Sequence, residues 1–189
     1  MGLRLNSLKI TFVIYLALFV LSIVSTSQAA VNTAKEIDVS VEATLDRFKK
    51  EIPGAESFLK KSSGALVFPK VYKAGIGIGA EYGEGALIVG GKTIEYYSTA
   101  AASIGFQLGA QAKSIILIFT KYEALKTFQK SDGWEAGVDG SVALITLGMG
   151  DSLDTTNVKD PIVAFIFGQR GLMYNLTIEG SKFSRITPE

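Results

Sequence analysis

Ala86-Leu87-Ile88-Val89-Gly90-Gly91-Lys92-Thr93-Ile94-Glu95-Tyr96-Tyr97 sets two β-forming runs on either side of a glycine pair. Paired glycines supply the positive φ angles that a two-residue hairpin turn demands, so this stretch predicts two antiparallel strands joined at Gly90-Gly91. Upstream, Gly75-Ile76-Gly77-Ile78-Gly79 alternates strictly, with the glycines toward one side of a strand and both isoleucines toward the other. A face without side chains lets a second backbone lie close or lets the sheet curl sharply. Ala65 to Phe68 is a brief apolar run that Pro69 is expected to end.

Downstream, Ser103 to Gln111 and Lys113 to Phe119 read as two further strands, the second a continuous apolar run of the kind buried on both faces. Tyr122, Leu125 and Phe128 fall three apart, which predicts a short helix with one buried stripe. Trp134 to Leu147 returns to strand texture. Ile162 to Phe167 and Leu172 to Ile178 flank Gly168-Gln169-Arg170-Gly171, and read as a second hairpin with a glycine-rimmed turn.

Ahead of the strands, Val31 to Ser40 is polar and expected to be irregular. Val41, Leu45, Phe48 and Ile52 then follow at spacings of four, three and four, one stripe of a helix. Pro53-Gly54 stops it, and Ala55 to Lys61 predicts a second short helix. The fold class is therefore α+β: a glycine-rich, curled antiparallel sheet or barrel-like domain, preceded by one or two amphipathic helices.

Arg4 and Lys9, an apolar run from Ile10 to Val24, and small residues at Ser27 and Ala29 form the pattern of a secretory signal peptide. The run is short for a membrane span, which needs about 20 residues. The expected divisions are a signal peptide at 1–29, a helical region at 30–61 and a β-rich domain at 62–189. Export to the periplasm or cell envelope follows. Cleavage after Ala29 removes two bases and no acid, leaving 17 bases against 18 acids. Nucleic-acid binding normally requires a strong basic excess, so no nucleic-acid partner is expected.

The chain has no Cys and no His. Disulfides, a lipidated N-terminal Cys, thiol nucleophiles, the usual general base and the usual zinc ligands are thereby excluded. Glu81 with Glu84, and Asp132, Glu135 and Asp139 around Trp134, are the carboxylate pairs on which a hydrolase would depend, but turn-forming acids are mostly solvated. Asp151 and Asp154 lack the spacing of a calcium loop. The glycines at 75, 77 and 79 lack the third glycine and the following helix of a dinucleotide fingerprint. No enzyme, cofactor or metal site is expected.

Between Asp46 and Lys73 stand seven bases and three acids in an otherwise balanced chain. Arg47, Lys49, Lys50, Lys60 and Lys61 interleave with Phe48, Ile52 and Phe58, and two placements are open. The apolar stripe packs on the sheet with the lysines solvating its outer face, or the region lies on an anionic lipid surface.

Lys73 to Gly79, Glu81-Tyr82-Gly83-Glu84-Gly85, Gly105-Phe106-Gln107-Leu108-Gly109, Gly133-Trp134 with Gly137, and Arg170-Gly171-Leu172 with Glu179-Gly180-Ser181 resemble, in order, the blocks of the SYLF domain family, in its bacterial exported branch. The resemblance runs from about Ser63 to Ile186. It implies binding to a membrane surface, with the helix before the sheet as the membrane element and its eight residues named above as the lipid-binding set. Eukaryotic members bind phosphoinositide membranes and, in fungi, actin; an exported protein would not meet actin. Where eukaryotic members have an Arg-Gly-Gly-Ser-Gly type segment, Glu81 and Glu84 add negative charge expected to repel phosphate headgroups. The competing expectation is an envelope protein that self-associates or binds a protein partner through a strand edge or apolar patch.

Overall fold

The computed structural model describes residues 32–146, 160–171 and 178–189, without the side chains of 105–108 and 146. The leader, Asp151, Asp154 and the stretch 172–177 of the expected second hairpin lie outside the described residues. Residues 32–189 form one compact unit.

Helix α1 (Ala34–Glu51) begins at Thr33, where a capping box forms: the Thr33 hydroxyl accepts from the Glu36 amide and the Glu36 carboxylate accepts from the Thr33 amide. The helix therefore starts inside the stretch expected to be irregular, because Thr33-x-x-Glu36 satisfies amides that polar composition alone leaves open. Its buried face is Ile37, Val41, Thr44 and Phe48. Gly54, at φ 89°, carries the chain into α2 (Ala55–Lys61).

The expected hairpin is present and far longer than its twelve quoted residues. Strand β1 (Gly64–Val89) pairs antiparallel with β2 (Lys92–Phe119) along its whole length. The sequence divides this arm into short strands at Pro69, at the glycines and after Gln111. The structure keeps it continuous: register shifts at Phe68/Val71 and Ile76/Ile78 absorb Pro69 and Gly77, Ala112 pairs with Tyr72 without a break, and a third shift falls at Leu87/Ile88. Pro69, which has no amide to donate, sits in the first of these shifts.

The other edge of β2 is shared. Tyr96 to Ala100 pair with β6 (Lys182–Ile186), and Gln111 to Phe119 pair with β5 (Ile162–Gly171). Helix α3 (Tyr122–Lys130) and the two-residue β3 (Trp134–Glu135) follow β2; β3 pairs with β6, and β4 (Ala143–Thr146) runs parallel to β5. The six strands make one mixed sheet. Residues 168–171, expected to turn, remain in β5: Arg170 pairs with Ala112 and Gly171 with Gln111. Gly168, at positive φ, sits in the register shift opposite Ala112/Ser114 and marks a bulge, while Gly171, also at positive φ, is the strand's last residue.

Two cores lie on opposite faces of the sheet. Leu66, Phe68, Ile115, Leu117, Phe119, Ile162, Ala164 and Ile166 pack with Phe128 and Trp134 on one face. Ala65, Val67, Ile116, Ile118, Val163, Phe165 and Phe167 pack on the other beneath α1 and α2. Alternate residues of the same three strands serve alternate faces, which is why these runs are apolar without a break. Of the α3 stripe, Leu125 and Phe128 are buried and Tyr122 is exposed.

Candidate functional site

Midway along the β1–β2 arm the chain folds over on itself. A Cβ at Gly75 would overlap the backbone of Ile78 and Gly79, and one at Gly85 would overlap the carbonyl of Val67, so only glycine lets the two limbs of β1 close together. The fold-over turns Lys73, Glu81, Thr99, Gln111 and Lys113 inward, all buried. The Lys113 ammonium lies 2.9 Å from one Glu81 oxygen and donates to the other at 3.0 Å.

The outer face is apolar. Tyr72, Ala74 and Ile76 on one limb and Ile78, Ala80 and Tyr82 on the other are exposed. At the corner Ile76 is 80% exposed, Ile78 69% and Ile104, the cross-strand partner of Ile78, 88%. No charged residue occurs from Ala74 to Ala80 or from Tyr96 to Ala112. Tyr72 and Tyr82 stand at the root of the arm. The Tyr82 hydroxyl donates to Glu84 at 2.8 Å; burial first, then that carboxylate, pushes its pKa up to about 12.

Beside this root, a cleft of about 440 Å³ opens between α1 and strands β1, β2 and β5. Ser40, Ala43, Thr44 and Arg47 line it from α1, on one helix face at spacings of three, one and three. Lys70, Tyr72, Ser114 and Arg170 line it from the strands. The Arg47 guanidinium donates to Ser114 Oγ at 2.7 Å and stacks 4.8 Å over the Phe167 ring. Ser114 in turn donates to the Pro69 carbonyl at 2.8 Å.

The structure does not bring the residues expected to bind lipid together on one surface. Phe48 is 0%, Ile52 3% and Phe58 7% exposed; all three sit in the core beneath the helices, where Phe48 contacts Phe165 and Phe167 and Phe58 contacts Phe165. They are not available for insertion: a sheet face with Val163, Phe165 and Phe167 on it needs an apolar cover, and these rings provide it. Lys49 pairs with Asp46 and Lys60 with Glu56, both at the surface. Lys50 and Lys61 are exposed. Of the five cations, only Arg47 lines the cleft.

Two acids expected to repel headgroups are also accounted for. Glu81 is buried against Lys113, and Glu84 accepts from the Asn32 backbone and side-chain amides and from Tyr82. Sequence reading missed Ile104, Lys70 and Arg170 because pairing across the sheet, which brings them to the corner and the cleft, leaves no local pattern.

Residues 100–187 match the Ysc84 family model, described as Las17-binding protein actin regulator, in line with the resemblance to the SYLF domain. The match begins in β2 and covers α3 and β3 to β6; β1 and the helices α1 and α2 lie ahead of it. No match is found among curated proteins.

Proposed function

We propose that this chain is a non-catalytic module that binds a lipid surface, in the cell envelope after export, and that it does so through the corner of the β1–β2 arm. The observation that carries the reading is the exposure of Ile76, Ile78 and Ile104 together at the charge-free tip of the arm. Three large aliphatic side chains held in water by a rigid strand pair contribute nothing to folding, and each stabilises a complex by about 1.5–3 kcal/mol once buried. Tyrosines at the root suit the depth at which a bilayer passes from hydrocarbon to headgroup. Four residues of extended strand separate Tyr72 from Ile76, about 13 Å, which is of the order of the shallow insertion depth of interfacial elements. Among the described residues no helix is long and apolar enough to cross a membrane, so attachment at the surface fits this part of the chain.

Cosedimentation of residues 30–189 with phosphatidylcholine vesicles containing phosphatidylglycerol tests this. Changing Ile76, Ile78 and Ile104 together to Ser should weaken binding by at least about tenfold. Unchanged pelleting would defeat the reading. So would light scattering that finds a stable oligomer indifferent to vesicles, the outcome expected if the corner instead pairs with a second copy.

A further inference from the structure

We infer that the inside of the folded arm, next to its corner, is a binding site for a small monovalent anion. Side chains alternate along a strand, so one face can be followed from the core toward the corner. On β1, Val71 belongs to the core, and Lys73 is the next residue on the same face. On β2, Ile115 leads back to Lys113 and Gln111, and Tyr97 leads on to Thr99. Glu81 comes from the second limb of β1, on the face that carries Leu87. The core therefore gives way to five enclosed polar side chains where the sheet folds over. Lys73 lies opposite Gln111 in the register, and the contact of Lys113 with Glu81 joins the two limbs.

Lys73 and Gln111 are each 4% exposed and Thr99 is 0% exposed. Lys113 and Glu81 cancel each other, and the next acid on this face, Glu95, is paired with Arg185. One positive charge remains: among the described residues Lys73 has neither an ion pair nor a hydrogen bond. Both polar atoms of the Gln111 amide, and the Thr99 hydroxyl, are likewise buried without a hydrogen bond. Folded proteins rarely leave such groups unpaired, and an uncompensated buried charge is costlier still. A water molecule answers the amide and the hydroxyl but leaves the ammonium without a counter-ion. A cation raises the enclosed charge, and a dianion reverses it. A monoanion neutralises Lys73 and accepts from Gln111 Nε2 and Thr99 Oγ1. Walls this closed admit only a few atoms, which suits chloride or a carboxylate of one or two carbons. This enclosure is distinct from the cleft beside α1, whose lining includes Lys113 but not Lys73, Gln111 or Thr99, and an anion in it acts independently of any lipid surface.

The test compares salts on residues 30–189, dialysed into sodium sulfate and titrated at constant ionic strength. Sodium acetate is one arm and sodium chloride the other, each followed by NMR shifts of the Gln111 side-chain amide and the Thr99 backbone amide, and by melting temperature. Wild type should show saturable shifts at both residues and a melting temperature that rises with the same midpoint. Lys73→Met should bind at least about tenfold more weakly. It should also lose the difference in melting temperature between sulfate and the saturating anion, which a purely structural role of Lys73 would leave in place. Gln111→Met keeps both lysines, so it serves if Lys73→Met does not fold; read at Thr99, it should bind about tenfold more weakly. Ion chromatography of the denatured protein detects an anion kept through dialysis, which counts as binding. Saturation by acetate alone assigns the site to carboxylates, by chloride alone to a halide, and by both in competition to small monoanions in general. No saturable response with no retained anion, or equal saturation in the variants, overturns the proposal and leaves only water to these groups.

Discussion

At the scale of single residues, the pair Lys113–Glu81 shows how far charge in a sequence can mislead. Glu81 stands two residues from Gly79 in a glycine-rich segment and reads as a solvated acid. The fold-over buries it with Lys113, side chains 5% and 1% exposed. Isolating one member of such a pair leaves an uncompensated charge, so Glu81→Gln is expected to cost about 3–5 kcal/mol by urea denaturation. Replacing both, as Glu81→Leu with Lys113→Met, should recover most of that loss. A single variant as stable as wild type would mean the arm opens to water. Tyr97 is a second buried polar case: burial first, then its hydrogen bond to Glu95, pushes the phenol up to about 12 from 10.0. Between those values the unfolded chain ionises and the folded one does not. Stability is thus held below pH 10 and lost as pH rises toward 12, and Tyr97→Phe should flatten that alkaline fall in melting temperature.

Individual elements were legible in proportion to how local their causes are. The Gly90-Gly91 turn and the Pro53-Gly54 helix stop depend on neighbouring residues, and both stand where the sequence puts them. The apolar run after Lys113 gives its two-sided burial directly. The failures lie where pairing overrides punctuation: Pro69 and Gly168 look like breaks, but ladder bonds on either side carry the strand through them as bulges. Helix α1 is amphipathic under either of its two placements, and its stripe alone cannot say whether a sheet or a bilayer covers it. The structure gives the stripe to the sheet. Phe48→Ala should therefore destabilise the fold by about 3–5 kcal/mol, while the folded fraction keeps its affinity for vesicles. A variant of normal stability that fails to bind would return the helix to the lipid surface.

For the molecule as a whole, the α+β class and the curled sheet followed from glycine placement and strand texture, whereas the candidate surfaces did not. The corner joins Ile76 and Ile78 to Ile104, and the cleft joins Arg47 to Lys70 and Arg170, through a sheet whose register sets both. Both surfaces belong to one compact unit with two packed cores, so under the proposed lipid-surface reading the protein would meet a bilayer as a rigid body rather than by releasing its helices. The single tryptophan, Trp134, reports on this, since it is buried in the core on the sheet face away from α1 and α2. Its emission should stay constant as phosphatidylcholine vesicles are added. A tryptophan introduced at Ile104 should shift to the blue in the same titration, because its surroundings change from water to hydrocarbon. A shift at Trp134 would instead mean that the core opens on binding, and the corner would then be one contact among several in a rearranged protein.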